Sequence, residues 1–174
     1  ASDVYKRQSI ILYVNYFNNR EINMKKTIKL YLLISLFLAS NFSFAGDTHI
    51  VKMLNMSDEG SMVFEPAFIK INAGDSITFE MTDAGHNAAT VYGPAGSVPF
   101  DTKYKPSTTI KFDVSGLYLY KCSPHAMMAM AGIIQVSDTN NKSEMKEAVD
   151  KFEATVMVPN AKTRMSDLFN DNVK

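Results

Sequence analysis

Between Asp47 and Val136 the chain reads as short extended segments broken by turns, a rhythm that limits it to a mainly β fold. His49 to Leu54 alternates. Phe68-Ile69-Lys70-Ile71 is stopped by Asn72-Ala73-Gly74-Asp75, and Ser76 to Thr82 resumes the extended pattern. Ala88 to Tyr92 runs into the turn-rich Gly93-Pro94-Ala95-Gly96. Thr108 to Val114 and Gly116 to Lys121 are separated by Ser115-Gly116, and Ala131 to Val136 closes the series. Seven or so short strands with regular turns predict a sandwich or barrel. Pro66 and Pro106 belong at edges, bulges or strand ends, because proline has no N–H to give to a ladder.

The tail changes character. Met145, Ala148, Val149 and Phe152 recur at helical spacing, with Asn141 and Glu144 placed like an N-cap and its N3 partner. After Val158-Pro159-Asn160, residues Ala161, Met165, Leu168 and Phe169 form a second apolar stripe. Two short amphipathic helices are therefore predicted to pack on the sandwich, their stripes serving as core contacts. The expected organisation is a β-sandwich over residues 46–138 and a helical extension over 139–174.

Met24 is the first methionine and opens a pattern resembling a secretory signal. Lys25, Lys26 and Lys29 supply the positive start, Leu30 to Ala39 the apolar run, and Ser43-Phe44-Ala45 the small residues read at cleavage. The run is about half the roughly 20 residues that a membrane-spanning helix needs. Residues 24–45 are accordingly read as a cleaved signal peptide for the periplasm, without a membrane anchor, and residues 1–23 as an extraneous leader. Of 18 basic and 18 acidic residues, six basic (Lys6, Arg7, Arg20, Lys25, Lys26, Lys29) and two acidic ones (Asp3, Glu21) precede Gly46, which leaves 12 against 16 and a formal charge of −4. That balance excludes a basic nucleic-acid binder.

The chemistry is concentrated in one run, Cys122-Ser123-Pro124-His125, followed by Met130. A further histidine stands upstream in Gly85-His86-Asn87. The set offers one thiolate, two imidazoles and one thioether, the ligands of a trigonal copper site with a weak axial methionine. Zinc seldom takes a thioether, which argues against a structural zinc site. A lone thiol in an exported protein has no disulfide partner, and metal binding would protect it from oxidation. A buried, inert cysteine is the plainer explanation, but it leaves the neighbouring Pro124 and His125 unexplained. Gly116 to Lys121 delivers Cys122 and Ala131 to Val136 receives the chain after Met130, so the loop is anchored at both ends. His86 follows the Ser76–Thr82 strand, and in a Greek-key sandwich these two loops can meet at one end. Met130 leads directly into a strand, whereas Met128 is followed by more loop, so Met130 is the expected axial ligand. His49, in an alternating strand with no ligand neighbours, is given no metal role.

These motifs resemble those of the pseudoazurins, periplasmic members of the cupredoxin group. The resemblance is carried by Met53-Leu54-Asn55, Met62-Val63-Phe64-Glu65-Pro66, Gly85-His86-Asn87 and Lys121-Cys122-Ser123-Pro124-His125 through Met130-Ala131-Gly132. It covers essentially residues 46–174, the tail by architecture more than by sequence. It implies an eight-stranded cupredoxin-like Greek-key sandwich with two C-terminal helices and one type 1 copper ion held by His86, Cys122, His125 and Met130. It further implies that the Asn87 backbone N–H points at the Cys122 sulfur and that Pro124 shields His125 from water. The implied function is single-electron transfer by a monomer, with a copper nitrite reductase or similar enzyme as acceptor and a cytochrome as donor.

Pseudoazurins commonly ring the exposed histidine with lysines. Lys121, Lys103 and Lys105 could serve here, but the positions at or near Met56, Ala84 and Asp101 carry no lysine. The apolar rim of Pro124, Ala126, Met127 and Met128 is the alternative docking surface. Two other functions compete. A copper carrier or buffer would need an exchangeable site, and an enzyme would need more histidines than the single one left, His49.

Overall fold

The computed structural model describes residue 20, residues 26–29 and residues 46–174. The expected leader (1–23) and signal peptide (24–45) otherwise lie outside the described residues. Among the described residues, no helix is long and apolar enough to cross a membrane.

Among the described residues, eight strands form two four-stranded sheets. They are β1 (Thr48–Ser57), β2 (Gly60–Glu65), β3 (Phe68–Ile71), β4 (Ser76–Glu80), β5 (Ala89–Tyr92), β6 (Ser107–Lys111), β7 (Gly116–Lys121) and β8 (Ala131–Val136). One sheet runs in the order β2-β1-β4-β6 and the other β3-β8-β7-β5. The pairs β1–β4 and β3–β8 are parallel and the others antiparallel. Two helices follow, α1 (Lys142–Glu153) and α2 (Arg164–Asn172). This is the mainly β sandwich with two C-terminal helices that the sequence predicts.

Two apolar cores share the second sheet. Val51, Met53, Phe64, Ile77 and Phe79 from the first sheet meet Ile71, Tyr118, Tyr120, Ile134 and Val136 from the second. On the outer face of the second sheet, Leu117, Leu119 and Ile133 pack under Met145, Val149, Phe152, Met165 and Phe169 of the helices. Strand β7 is therefore covered on both faces and reads as a nearly continuous apolar run. Each large side chain so buried contributes roughly 1.5–3 kcal/mol. Across the β7–β8 pair, Tyr120 faces Gly132. Its ring fills the space that a side chain at Gly132 would take, and its buried hydroxyl has no hydrogen-bond partner among the described residues.

Four details differ from the sequence reading. Strand β2 was not among the expected strands: Val63 and Phe64 are both buried, which breaks the alternation that marks a half-buried strand. Strand β1 continues past Leu54 to Ser57, because β2 supplies partners as far as Gly60. Strand β6 stops at Lys111 instead of Val114, and Phe112 pairs instead with the turn through Gly74 N–H (2.8 Å) and Asp75 C=O (2.9 Å). The expected capping box at α1 does not form either. Asn141 occupies the N-cap position without a side-chain cap bond. Its Oδ1 accepts the Leu117 N–H at 2.9 Å and its Nδ2 donates to the Leu117 carbonyl at 3.0 Å, so it ties helix to sheet.

His49 is held by Asp75, with Nε2 to Oδ2 at 3.3 Å. The Asp75 carboxylate also accepts the N–H groups of Asn72 (2.8 Å) and Asp47 (2.9 Å). These bonds, the Asn72 N–H foremost, hold its pKa below the ordinary 3.8. The folded state thus releases this proton more readily than the unfolded chain. The resulting stabilisation is complete above the ordinary carboxylate value and is lost as pH falls through the depressed one. Asp75→Asn is expected to flatten the decline of stability in urea titrations run below about pH 4, and an unchanged pH profile would contradict this assignment.

Candidate metal centre

Lys121 of β7 pairs with Ala131 of β8, and one step beyond that pair the Cys122 N–H donates to the Met130 carbonyl at 2.9 Å. The segment between them is therefore a closed loop. Its turn is held by Met128 N–H to His125 C=O (2.9 Å), Ala129 N–H to Ala126 C=O (2.9 Å) and Met130 N–H to His125 C=O (3.3 Å). Ala129 takes a left-handed φ of 62°. His86 arrives on the loop after β4 and is fully buried, as are Cys122 and Met130, while His125 is only partly buried.

Three donor atoms converge. Cys122 Sγ lies 3.4 Å from His125 Nδ1 and 3.6 Å from His86 Nδ1, and the two ring nitrogens are 3.1 Å apart. Bonds of roughly 2.0 Å to nitrogen and 2.3 Å to sulfur place donors about 3–4 Å apart around one ion. The separations fit. Among the described residues this is the one cluster of three His, Cys, Asp or Glu groups able to hold a metal ion. Met130 packs in the same core cluster as Cys122, whereas Met127 is exposed and Met128 only half-buried.

The surroundings fix the protonation states. His86 Nε2 lies 3.0 Å from Asn55 Oδ1, an atom that can only accept, so Nε2 carries the hydrogen and the Nδ1 lone pair faces Cys122. Asn55 is in turn fixed by its own N–H to Asp83 Oδ2 at 2.6 Å. Burial, and secondarily the neighbouring His125, push the His86 pKa below its ordinary value against the opposing pull of Asp83. That keeps it the neutral imidazole a metal requires. Burial pushes the Cys122 thiol up, while the backbone N–H groups of Asn87 and His125, directed at its sulfur, pull it down. A cation at the site would turn the thiol into a thiolate.

Asn87 does more than present its backbone. Its side chain accepts the Ser123 N–H at 2.8 Å and donates to Ser123 Oγ at 3.1 Å and to Asp101 Oδ1 at 3.0 Å. It staples the His86 loop to the Cys122 loop. Asn87→Ala is expected to cost about 1–2 kcal/mol in the metal-free protein, because a buried amide that makes three hydrogen bonds is lost. Chemical unfolding measures this, and a change under about 0.5 kcal/mol, ordinary for a surface site, would contradict the staple.

Around His125, Pro124 is exposed and Ala126 half-exposed. Lys121 is partly buried and Lys105 exposed, while Lys103 is paired with Asp101 at 3.1 Å. The sequence reading did not assign parts to Asn55, Asp83, Asp101 or Ser123. Asn55 and Asp101 reach the His86 loop from other stretches of chain, while Asp83 and Ser123 stand in the ligand loops and bond to Asn55 and Asn87, 28 and 36 residues away, so no local spacing marks the pairings.

The family described as copper-binding proteins of the plastocyanin/azurin family matches residues 51–137. The pseudoazurin of Methylorubrum extorquens is 37% identical over 124 residues, covering 70% of this chain and 84% of its own length. That of Paracoccus pantotrophus is 39% identical over 120 residues, covering 68% and 79% respectively. The crystal structure of pseudoazurin from Methylobacterium extorquens AM1 superposes with a TM-score of 0.61 at 35% identity, covering 72% of this chain and 98% of that one.

Proposed function

From the premise that this chain belongs to the plastocyanin/azurin family of copper-binding proteins, and within it to the pseudoazurins, we propose that His86, Cys122, His125 and Met130 hold one type 1 copper ion used for electron transfer. The observation that carries this assignment is the convergence of two imidazole nitrogens and one thiol sulfur within 3.1–3.6 Å, beside a fully buried methionine. Bound there, copper supplies one-electron chemistry by alternating between Cu(II) and Cu(I), which the mixed soft and intermediate donors serve in both states.

The protein contributes rigidity and access. His86 and Cys122 are locked by Asn55 and Asn87, so the donors need not move when the electron arrives. His125 is the one partly exposed donor, and its edge is where the electron enters and leaves. The neighbouring face is apolar, with Pro124 and Met127 exposed beside Ala126 and Met128, and Lys103 is already engaged by Asp101. Docking therefore rests on this apolar rim, with Lys121 and Lys105 contributing orientation and on-rate. Such encounters are small and short-lived.

The protein acts as an electron shuttle and not as an enzyme, since His49, the remaining histidine, is spent on Asp75. The signal-like stretch from Met24 to Ala45 supports a periplasmic site of action. The proposed acceptor, a copper nitrite reductase, and the cytochrome donor rest on the family resemblance. Repeated reduction and reoxidation under excess chelator tests the shuttle against a metal carrier. Full retention of copper over many cycles is expected, and loss of copper upon reduction would favour the carrier.

A further inference from the structure

Arg164, the first residue of α2, sends one guanidinium nitrogen between strand β2 and the ligand loop. Its Nη1 donates to the carbonyls of Ser61 (3.2 Å), Met62 (3.3 Å) and, at the limit of a hydrogen bond, Ala129 (3.5 Å). Met62 belongs to β2, and Ala129 immediately precedes Met130 in the ligand loop. Among the described residues, four other than glycine have a positive φ, namely Met62 (51°), Lys103 (55°), Ala129 (62°) and Ser137 (50°). Two of these four put their carbonyls on the same nitrogen.

That coincidence has physical content. A left-handed backbone strains any residue with a side chain and persists only where the surroundings enforce it. A partly buried guanidinium, for its part, needs acceptors to replace lost hydration. Each requirement meets the other. The chain before α2 also holds this turn, where the Met157 N–H donates to the Met127 carbonyl at 2.9 Å. The helix itself is anchored by Met165 and Phe169 in the outer core, so the arginine is presented from a fixed base.

We propose that Arg164 is a positioning residue for the metal centre, holding Met62 and Ala129 in their left-handed conformations and thereby fixing the turn that delivers Met130 beside Cys122 and His125. The axial thioether is the weakest of the four donors, so its placement depends most on the loop that carries it. This inference rests on the copper reading above.

The test uses the full chain with Arg164→Met, Arg164→Lys, Ala129→Gly and the Arg164→Met/Ala129→Gly pair. In copper-loaded Arg164→Met, the position and intensity of the visible thiolate-to-copper band are expected to change. Copper should leave to a chelator about tenfold faster, the low end of the range for losing an outer partner. In the copper-free protein, the Met130 amide should exchange with solvent about tenfold faster. Ala129→Gly removes the strain that the arginine offsets, so it should bring the double variant back to within about twofold of Ala129→Gly alone. Wild-type spectra, release rates and exchange in Arg164→Met would overturn the proposal, as would a lower melting temperature with all three unchanged. If Arg164→Met does not fold, Arg164→Lys carries the test: faster release suppressed by Ala129→Gly supports the proposal, and unaltered release overturns it. A wild-type protein that never turns blue sinks the copper reading itself, whereas a blue wild type with indifferent variants sinks this inference alone.

Discussion

Cys122→Ser is expected to give a folded, colourless protein that binds Cu(II) at least about a hundredfold more weakly. Removing a partner outside the ligand shell costs roughly 10–100-fold in metal affinity, and removing the sole thiolate costs more. The visible band of a blue-copper centre arises from thiolate-to-copper charge transfer, and a serine hydroxyl cannot replace it. The fold should survive the change. The Asn87 and His125 backbone N–H groups aimed at this sulfur would find a hydroxyl oxygen in nearly the same place. The metal-free variant is therefore expected to unfold within about 2 kcal/mol of the metal-free parent, the scale of one buried hydrogen bond. Absorption spectra with competitive copper titration measure the first effect and urea unfolding the second. A serine variant that keeps the blue band would contradict the assignment of Cys122.

The next largest effect is expected away from the donors, at Gly132. A Cβ placed there would lie 2.4 Å from the Tyr120 hydroxyl oxygen, 2.5 Å from its Cζ and 2.8 Å from the Ala67 carbonyl oxygen. Two of those atoms belong to a ring packed edge-on between Phe64 and Phe79, with centroids 4.7 and 5.2 Å away, so the ring cannot swing clear. Gly132→Ala is expected to cost about 3 kcal/mol, the upper end of overpacking effects. Because the ring causes the clash, Tyr120→Val should absorb part of the cost. The pair should be less destabilised than the sum of its members by at least about 1 kcal/mol. Tyr120→Phe, by contrast, removes only a hydroxyl that lacks a partner among the described residues and should be neutral or stabilising by about 1 kcal/mol. Thermal unfolding of the four variants measures this, and strict additivity would contradict the proposed packing.

What could be read from the chain and what could not divides along sequence distance. The sandwich was legible because strands such as β4 lie between strong turns and alternate, with Ile77 and Phe79 buried and Ser76, Thr78 and Glu80 less so. The helices were legible from Met145, Val149 and Phe152, and from Met165 and Phe169, all of which are buried. Strand β2 escaped because Val63 and Phe64 are covered on opposite faces. Asn141 looked like a helix cap, and the rule failed because a strand backbone 24 residues away offered its side chain both a donor and an acceptor. At the metal centre, Cys122, His125 and Met130 share one short loop, so their order was visible as a pattern. The groups that orient them were not. Asn55 reaches His86 across 31 residues, Asn87 reaches Ser123 across 36, and Arg164 reaches Met62 across 102, with no local spacing to mark any of the three. Donors can cluster on one loop because they share an ion, whereas the residues that aim them must come from wherever the fold brings a polar group.

The most direct test of the account is the visible and EPR spectrum of the protein loaded with Cu(II), before and after ascorbate and again after reoxidation. The account predicts an intense band near ~600 nm with a narrow copper hyperfine splitting, bleached by reduction and restored by oxidant without loss of copper. A colourless protein, or a spectrum with wide hyperfine splitting from copper bound without the thiolate, would contradict it.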